Sequence, residues 1–160
     1  MRVKSRKTGI NYLCDAIILP QYYNFERDAE NKTNFENFKK ISFDCWNIFI
    51  AAYFVCALQI PLSSMKSRAY NKLMKNTLDY FKEQYPLFPK VLKTFLDTFK
   101  TEDPVSMKMG TLLVANLLQK NEDQISINDI NMGCEIADTI LNLASVIDVE
   151  ELTDYYSAED

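Results

Sequence analysis

The residues best suited to chemistry by type and spacing are two carboxylates, Glu135 and Asp138, three positions apart in an otherwise apolar stretch. With Asn131, Asn142 and Ser145 they follow spacings of four, three, four and three. On a helix that puts all five in one narrow stripe. Two carboxylates one turn apart could share a divalent cation or divide acid and base roles. Spacing supplies no third ligand, so no metal is expected. The plain structural alternative is a mostly buried helix with one solvent-facing edge.

Most other catalytic routes are closed by composition. The 160-residue chain has no histidine. That removes Ser-His-Asp and Cys-His nucleophiles, His-ligated zinc and the Glu-x-x-His pairs of di-iron bundles. The three glycines, Gly9, Gly110 and Gly133, are too scattered for a GxGxxG turn or a P-loop. The four cysteines, Cys14, Cys45, Cys56 and Cys134, include no CxxC pair and sit in or beside apolar runs. They read as small buried hydrophobes in a reducing cytoplasm. Cys45 and Cys56 lie about three turns apart on one predicted helix, too far to bridge each other. The loop 121–129 lacks the glycine and alternating ligands of a calcium loop. No catalytic residue and no cofactor are assigned, and an enzyme is not expected.

Charge is the remaining signal. The net charge of −4 divides into +7 over residues 1–100 and −11 over residues 101–160. Such asymmetry points to charged partners. The acidic end carries Asp148, Glu150, Glu151 and Asp154, with Tyr155 and Tyr156 beside them. Tyrosine offers contact area with few rotors, and carboxylates steer encounter with a basic surface. Tyr22 and Tyr23 could form a similar anchor. A basic stripe, Arg68, Lys72, Lys75 and Lys82, repeats the four-three spacing around Asp79. It is either a solvated face or a surface for phosphate or an acidic partner. Nucleic-acid binders are usually strongly basic and rich in arginine. This chain is acidic, with one arginine in the stripe, which argues against nucleic acid.

The elements that must position these residues all read as helices. Ile10 to Leu19 forms a short helix stopped by Pro20, and residues 22–32 a loop. The basic start, residues 1–9, lacks a following cleavage pattern, so no secretory leader is expected. Thr33 and Glu36 make a capping box for a helix over 34–59, apolar throughout from Ile48 to Leu58. Asp44, Asn47, Gln59 and Pro61 crowd that run, so a buried central helix is expected rather than a membrane span. Asp44 is placed on its exposed edge with Lys40. An amphipathic helix follows over 64–84, started by Ser63 or Ser64, then one over 89–100 opening on Pro89. Asp103 as N-cap and Pro104 start the next, to about Lys120. Gly110 inside it costs about 1 kcal/mol relative to alanine, which a close helix crossing would explain. Asn128 caps the last long helix, 129–147.

The expected architecture is one all-α domain of six or seven helices. It forms an irregular or orthogonal bundle around central helices 34–59 and 129–147, with a basic arm at 1–9 and an acidic tail at 157–160. The expected function is a non-enzymatic protein–protein interaction module, namely a stoichiometric inhibitor such as an immunity protein or antitoxin that occludes a basic toxin, for example a nuclease. The expected partner surface is Glu135, Asp138, Asp148, Glu150, Glu151, Asp154, Tyr155 and Tyr156. The alternatives are a regulatory or nucleic-acid-binding domain using the basic stripe, and a carboxylate-based helical enzyme using Glu135 and Asp138.

Overall fold

The computed structural model describes residues 10–63, 67–101, 103 and 106–147. Seven α-helices pack as one domain, with no strand among the described residues: α1 (Ile10–Asp28), α2 (Phe43–Ala57), α3 (Gln59–Leu62), α4 (Ser67–Gln84), α5 (Phe88–Phe99), α6 (Met107–Leu118) and α7 (Ile127–Ser145). The basic arm 1–9 and the acidic tail 157–160 lie outside the described residues.

The all-apolar stretch forms the centre. From Phe49 to Leu58 every side chain is buried. Trp46, Ile50, Tyr53 and Phe54 are wholly enclosed. Each contributes about 1.5–3 kcal/mol by leaving water. A helix with no polar side must be covered all round, and α2 packs against α1, α5, α6 and α7. The segment Phe43–Leu62 has 20 residues and a mean hydropathy of 1.7, enough to cross a membrane by length and composition. Its most apolar part is 67% buried within the domain. It is therefore satisfied as the central element of the fold. The two helices expected at the centre pack directly on each other as α2 and α7.

Several boundaries differ from expectation. Helix α1 continues through Pro20 to Asp28, so residues 22–28 are helical rather than loop. Proline removes one N–H and crowds the carbonyl four residues back. Burial of Ile18 and Phe25 on either side of Pro20 outweighs that cost. The predicted helix over 34–59 begins only at Phe43. Ahead of it lie two short 3₁₀ turns, Thr33–Phe35 and Phe38–Lys40. Phe35, Phe38 and Ile41 repeat every three residues, the period of a 3₁₀ turn, and all three are buried. Thr33 makes no cap; Ser42 does, its hydroxyl accepting from the Cys45 N–H. Asp44 is exposed as expected, but in the first turn of α2, where Lys40 precedes the helix and is no helical neighbour. Another difference is at α6, which starts at Met107 with Ser106 as N-cap rather than at Asp103. Pro104 lies outside the described residues.

An aromatic cluster locks α1 onto α2. Trp46 lies within 5.7 Å, centroid to centroid, of the rings of Tyr22, Phe25 and Phe38. Its indole N–H donates to the Ile18 carbonyl at 2.9 Å. The Tyr22 hydroxyl donates to the Ile41 carbonyl at 3.1 Å. Tyr22 is thus held by packing, not presented as a free anchor, and burial pushes its hydroxyl above the ordinary tyrosine range.

The most extensive pairing is α6 against α7, and both glycines that matter sit in it. A Cβ on Gly133 would fall 2.3 Å from the Gly110 carbonyl oxygen. A Cβ on Gly110 would fall 2.5 Å from the Cys134 sulfur and 3.1 Å from the Cys134 backbone nitrogen. The close crossing inferred from Gly110 is therefore present, and Gly133 is its other half.

Candidate functional site

Helix α7 presents its polar stripe as expected. Ser126 caps the helix by accepting from the Asp129 N–H, in place of the predicted Asn128. The buried face then comprises Met132, Gly133, Ile136, Ala137, Ile140 and Ala144. Opposite it, Asn131, Glu135, Asp138, Asn142 and Ser145 are all exposed. The stripe runs along the outside of α7, about four turns of helix in length.

Glu135 is fixed from outside its own helix. It accepts from the Asn34 side-chain amide at 2.6 Å and pairs with Lys32 at 3.4 Å. Lys32 also lies 5.1 Å from the Phe35 ring centroid. With both partners of the ion pair about half exposed (48% and 45%), it contributes at most about 1 kcal/mol. Its effect is positional, holding the 33–35 turn against α7. Nearer the start of α7, the buried Asp129 accepts from the Asn37 amide at 2.8 Å. The segment ahead of α2 is thus pinned to α7 at two carboxylates. In the sequence Asp129 stands only at the end of the rejected calcium-like loop and after the predicted cap; its burial depends on Asn37, far away in the chain.

Neither Glu135 nor Asp138 lines the cleft found among the described residues. No group of three or more acidic or cysteine residues able to hold a metal occurs among the described residues. The other expected partner-binding residues, Asp148, Glu150, Glu151, Asp154, Tyr155 and Tyr156, lie outside the described residues. So do seven of the thirteen acidic residues that follow position 100.

The basic stripe sits on α4. Arg68, Lys75, Asp79 and Lys82 are exposed and Lys72 is half-buried. The opposite face buries Leu73, Thr77 and Phe81. The Thr77 hydroxyl, in an apolar setting, donates to the Leu73 carbonyl at 2.8 Å.

All four cysteines are free. Burial, with a smaller push from the Asp15 charge, holds the Cys14 thiol well above its ordinary range. Burial also pushes Cys56 up to about 12 and raises Cys134. A raised pKa suppresses the thiolate, the reactive species. Alkylation of the folded protein with iodoacetamide at mildly alkaline pH should spare Cys14 and Cys56, and modify all four once denaturant is added. Peptide mass spectrometry reads this directly; rapid labelling of Cys56 in the folded state would contradict its burial.

A cleft of about 220 Å³ opens where α1, α2 and the end of α4 meet. Asp15, Asn47, Tyr80 and Gln84 bring its polar groups, and the Tyr80 hydroxyl donates to Asp15 at 3.4 Å. Sequence patterning carries no sign of it, because its walls come from residues spread between positions 14 and 85.

The chain matches no protein-family model, no curated protein and no solved structure.

Proposed function

We propose that this chain is a protein-binding module that occludes a basic partner stoichiometrically, as an immunity protein or antitoxin neutralises a toxin such as a nuclease. The observation that carries this reading is the exposed edge of α7. Five polar residues stand there in register, and one carboxylate, Glu135, is already positioned by Asn34 and Lys32. A preset carboxylate loses less side-chain freedom on binding than a mobile one. The acidic residues beyond position 147 extend the same sign of charge along the chain. Anionic residues concentrated in this way raise the rate of encounter with a cationic surface. A reducing cytoplasm, where four free thiols persist, completes the reading.

The test uses the full chain as bait in its native cell, followed by purification of the captured protein and stopped-flow association at several ionic strengths. Reversing charge in Glu135→Lys with Asp138→Lys, or Glu150→Lys with Asp154→Lys, should slow association roughly tenfold or more at low salt. The first pair should also lose about 1–2 kcal/mol of stability, since Glu135 gives up Asn34 and Lys32, so its association rate is read well below its melting temperature. An unchanged association rate with a specific partner would overturn this use of the acidic face. Capture of nucleic acid, with salt-dependent binding lost in Arg68→Gln with Lys75→Gln and Lys82→Gln, would transfer the function to α4.

A further inference from the structure

The cleft between α1, α2 and α4 is separate from the acidic edge of α7. Its volume of about 220 Å³ equals roughly seven waters at about 30 Å³ each. That is below the range of about 300–1,000 Å³ usual for cofactors and drug-sized ligands, and close to the size of one long side chain. Rings from Phe43, Tyr80, Phe81 and Tyr85 line it. Asp15 is its one carboxylate, and no lysine or arginine is among the lining residues. Cys14, whose thiol is held up mainly by burial, lines the same cleft beside Asp15.

An anionic group among aromatic rings suits an organic cation. A guanidinium fits better than an ammonium. It is planar, stacks on rings, sheds water more readily and offers donors in a fork to a carboxylate. Asp15 already takes the Tyr80 hydroxyl and has a further partner besides, so an incoming cation shares the carboxylate rather than finding it bare. Asn47 and Gln84 supply amide oxygens for the remaining guanidinium donors. Around the mouth stands an apolar collar. Leu19 and Phe43, both lining residues, are 42% and 37% exposed, and Tyr23, 56% exposed, stacks on Phe43 at 6.5 Å. A free amine would leave that collar wet, whereas a protein would cover it. Buried anchors ringed by water-excluding contacts are the usual form of a binding hot spot.

We infer that this cleft receives an arginine side chain of the basic protein partner, its guanidinium at Asp15 and its neighbouring residues on the Leu19, Tyr23 and Phe43 collar. The inference rests on the reading of the chain as a binder of a basic protein. Its test needs no partner, so the two can fail separately. The isotope-labelled full chain is titrated with N-acetyl-arginine methylamide, its neutral citrulline counterpart, and a short peptide with arginine between two leucines. The arginine probe should shift the amide signals of Leu19, Asn47 and Gln84. The citrulline probe should bind about tenfold more weakly, the loss of a charge-assisted contact. The leucine-flanked peptide should bind more tightly than the single residue. Asp15→Asn should abolish the preference for arginine over citrulline. Lys93→Gln, exposed on α5 and away from the cleft, should leave probe binding unchanged. No shift at the cleft up to tens of millimolar, or equal binding of arginine and citrulline, overturns the inference. Equal binding of peptide and single residue overturns its protein source. If Asp15→Asn fails to fold, the arginine–citrulline comparison on the unaltered chain still decides.

Discussion

Gly133→Ala should lower the melting temperature by about 4–8 °C, corresponding to a net loss of about 2 kcal/mol in a domain of this size. Two effects oppose each other. Alanine is the better helix former by about 1 kcal/mol. Against that, its methyl would stand 2.3 Å from the Gly110 carbonyl oxygen and 3.1 Å from the Val114 Cβ. The first of those atoms is backbone within α6, so it cannot rotate away. Relief requires α6 and α7 to move apart along their whole pairing, which loosens the packing of Met109, Leu113, Ile136 and Ala137, all buried. Overpacking of this kind costs about 1–3 kcal/mol and occasionally more, so the clash wins. Gly110→Ala should cost less, because its nearest obstacle is the Cys134 sulfur, which can turn. Adding Cys134→Ala should recover part of the Gly110→Ala loss and none of the Gly133→Ala loss. Thermal melts of the single and double variants test this. A Gly133→Ala protein as stable as the original would mean that the helices do not cross at the two glycines.

Trp46→Ala is expected to be the most damaging single substitution, at about 3–5 kcal/mol. Against a total stability of about 5–15 kcal/mol, that leaves a large unfolded population or none folded at all. Trp46 is fully enclosed, and the rings of Tyr22, Phe25 and Phe38 all pack on it. Those rings come from α1 and from the turn before α2, so the cavity left by alanine loosens three segments together. Trp46→Phe separates volume from polarity. It keeps a ring for the cluster but removes the indole donor to Ile18, at a cost of about 1–2 kcal/mol. Urea unfolding followed by far-ultraviolet circular dichroism gives both values. An alanine variant within about 1 kcal/mol of the original would remove this cluster from the core. Because Trp46 is the sole tryptophan, its fluorescence also reports on the α1–α2 contact in every variant that retains it.

Much of the fold was legible because apolar periodicity survives packing. The α7 stripe and the face of α4 both follow from counting threes and fours, and every stripe residue of α7 is exposed as that counting requires. The caps were harder to read. Three helices, α2, α6 and α7, start at Ser42, Ser106 and Ser126, whose hydroxyls accept from Cys45, Met109 and Asp129. Thr33, Asp103 and Asn128 stand nearby as rivals. Residues of these types cap almost equally well, so local preference cannot choose among them. Tertiary contact decides instead, as when Asn37 and Asp129 pin the first segment to α7. The cleft could not be read from the sequence at all. Asp15 and Asn47 show no periodic relation to Tyr80 and Gln84, and three helices must dock before they share a space.

The all-round apolar character of α2 also bears on how the chain reaches this state. Three of the helices that enclose it, α5, α6 and α7, follow it in sequence, and two of them lie beyond residue 106. During synthesis, Trp46 to Leu58 therefore leaves the ribosome before most of its cover has been made. Helices α6 and α7, joined by a short connection, can pair with little loop-closure cost once both exist. The centre must wait for contacts of long sequence separation, which form slowly. The segment that gives the finished domain its core is, in the growing chain, the surface most exposed to aggregation and to chaperones.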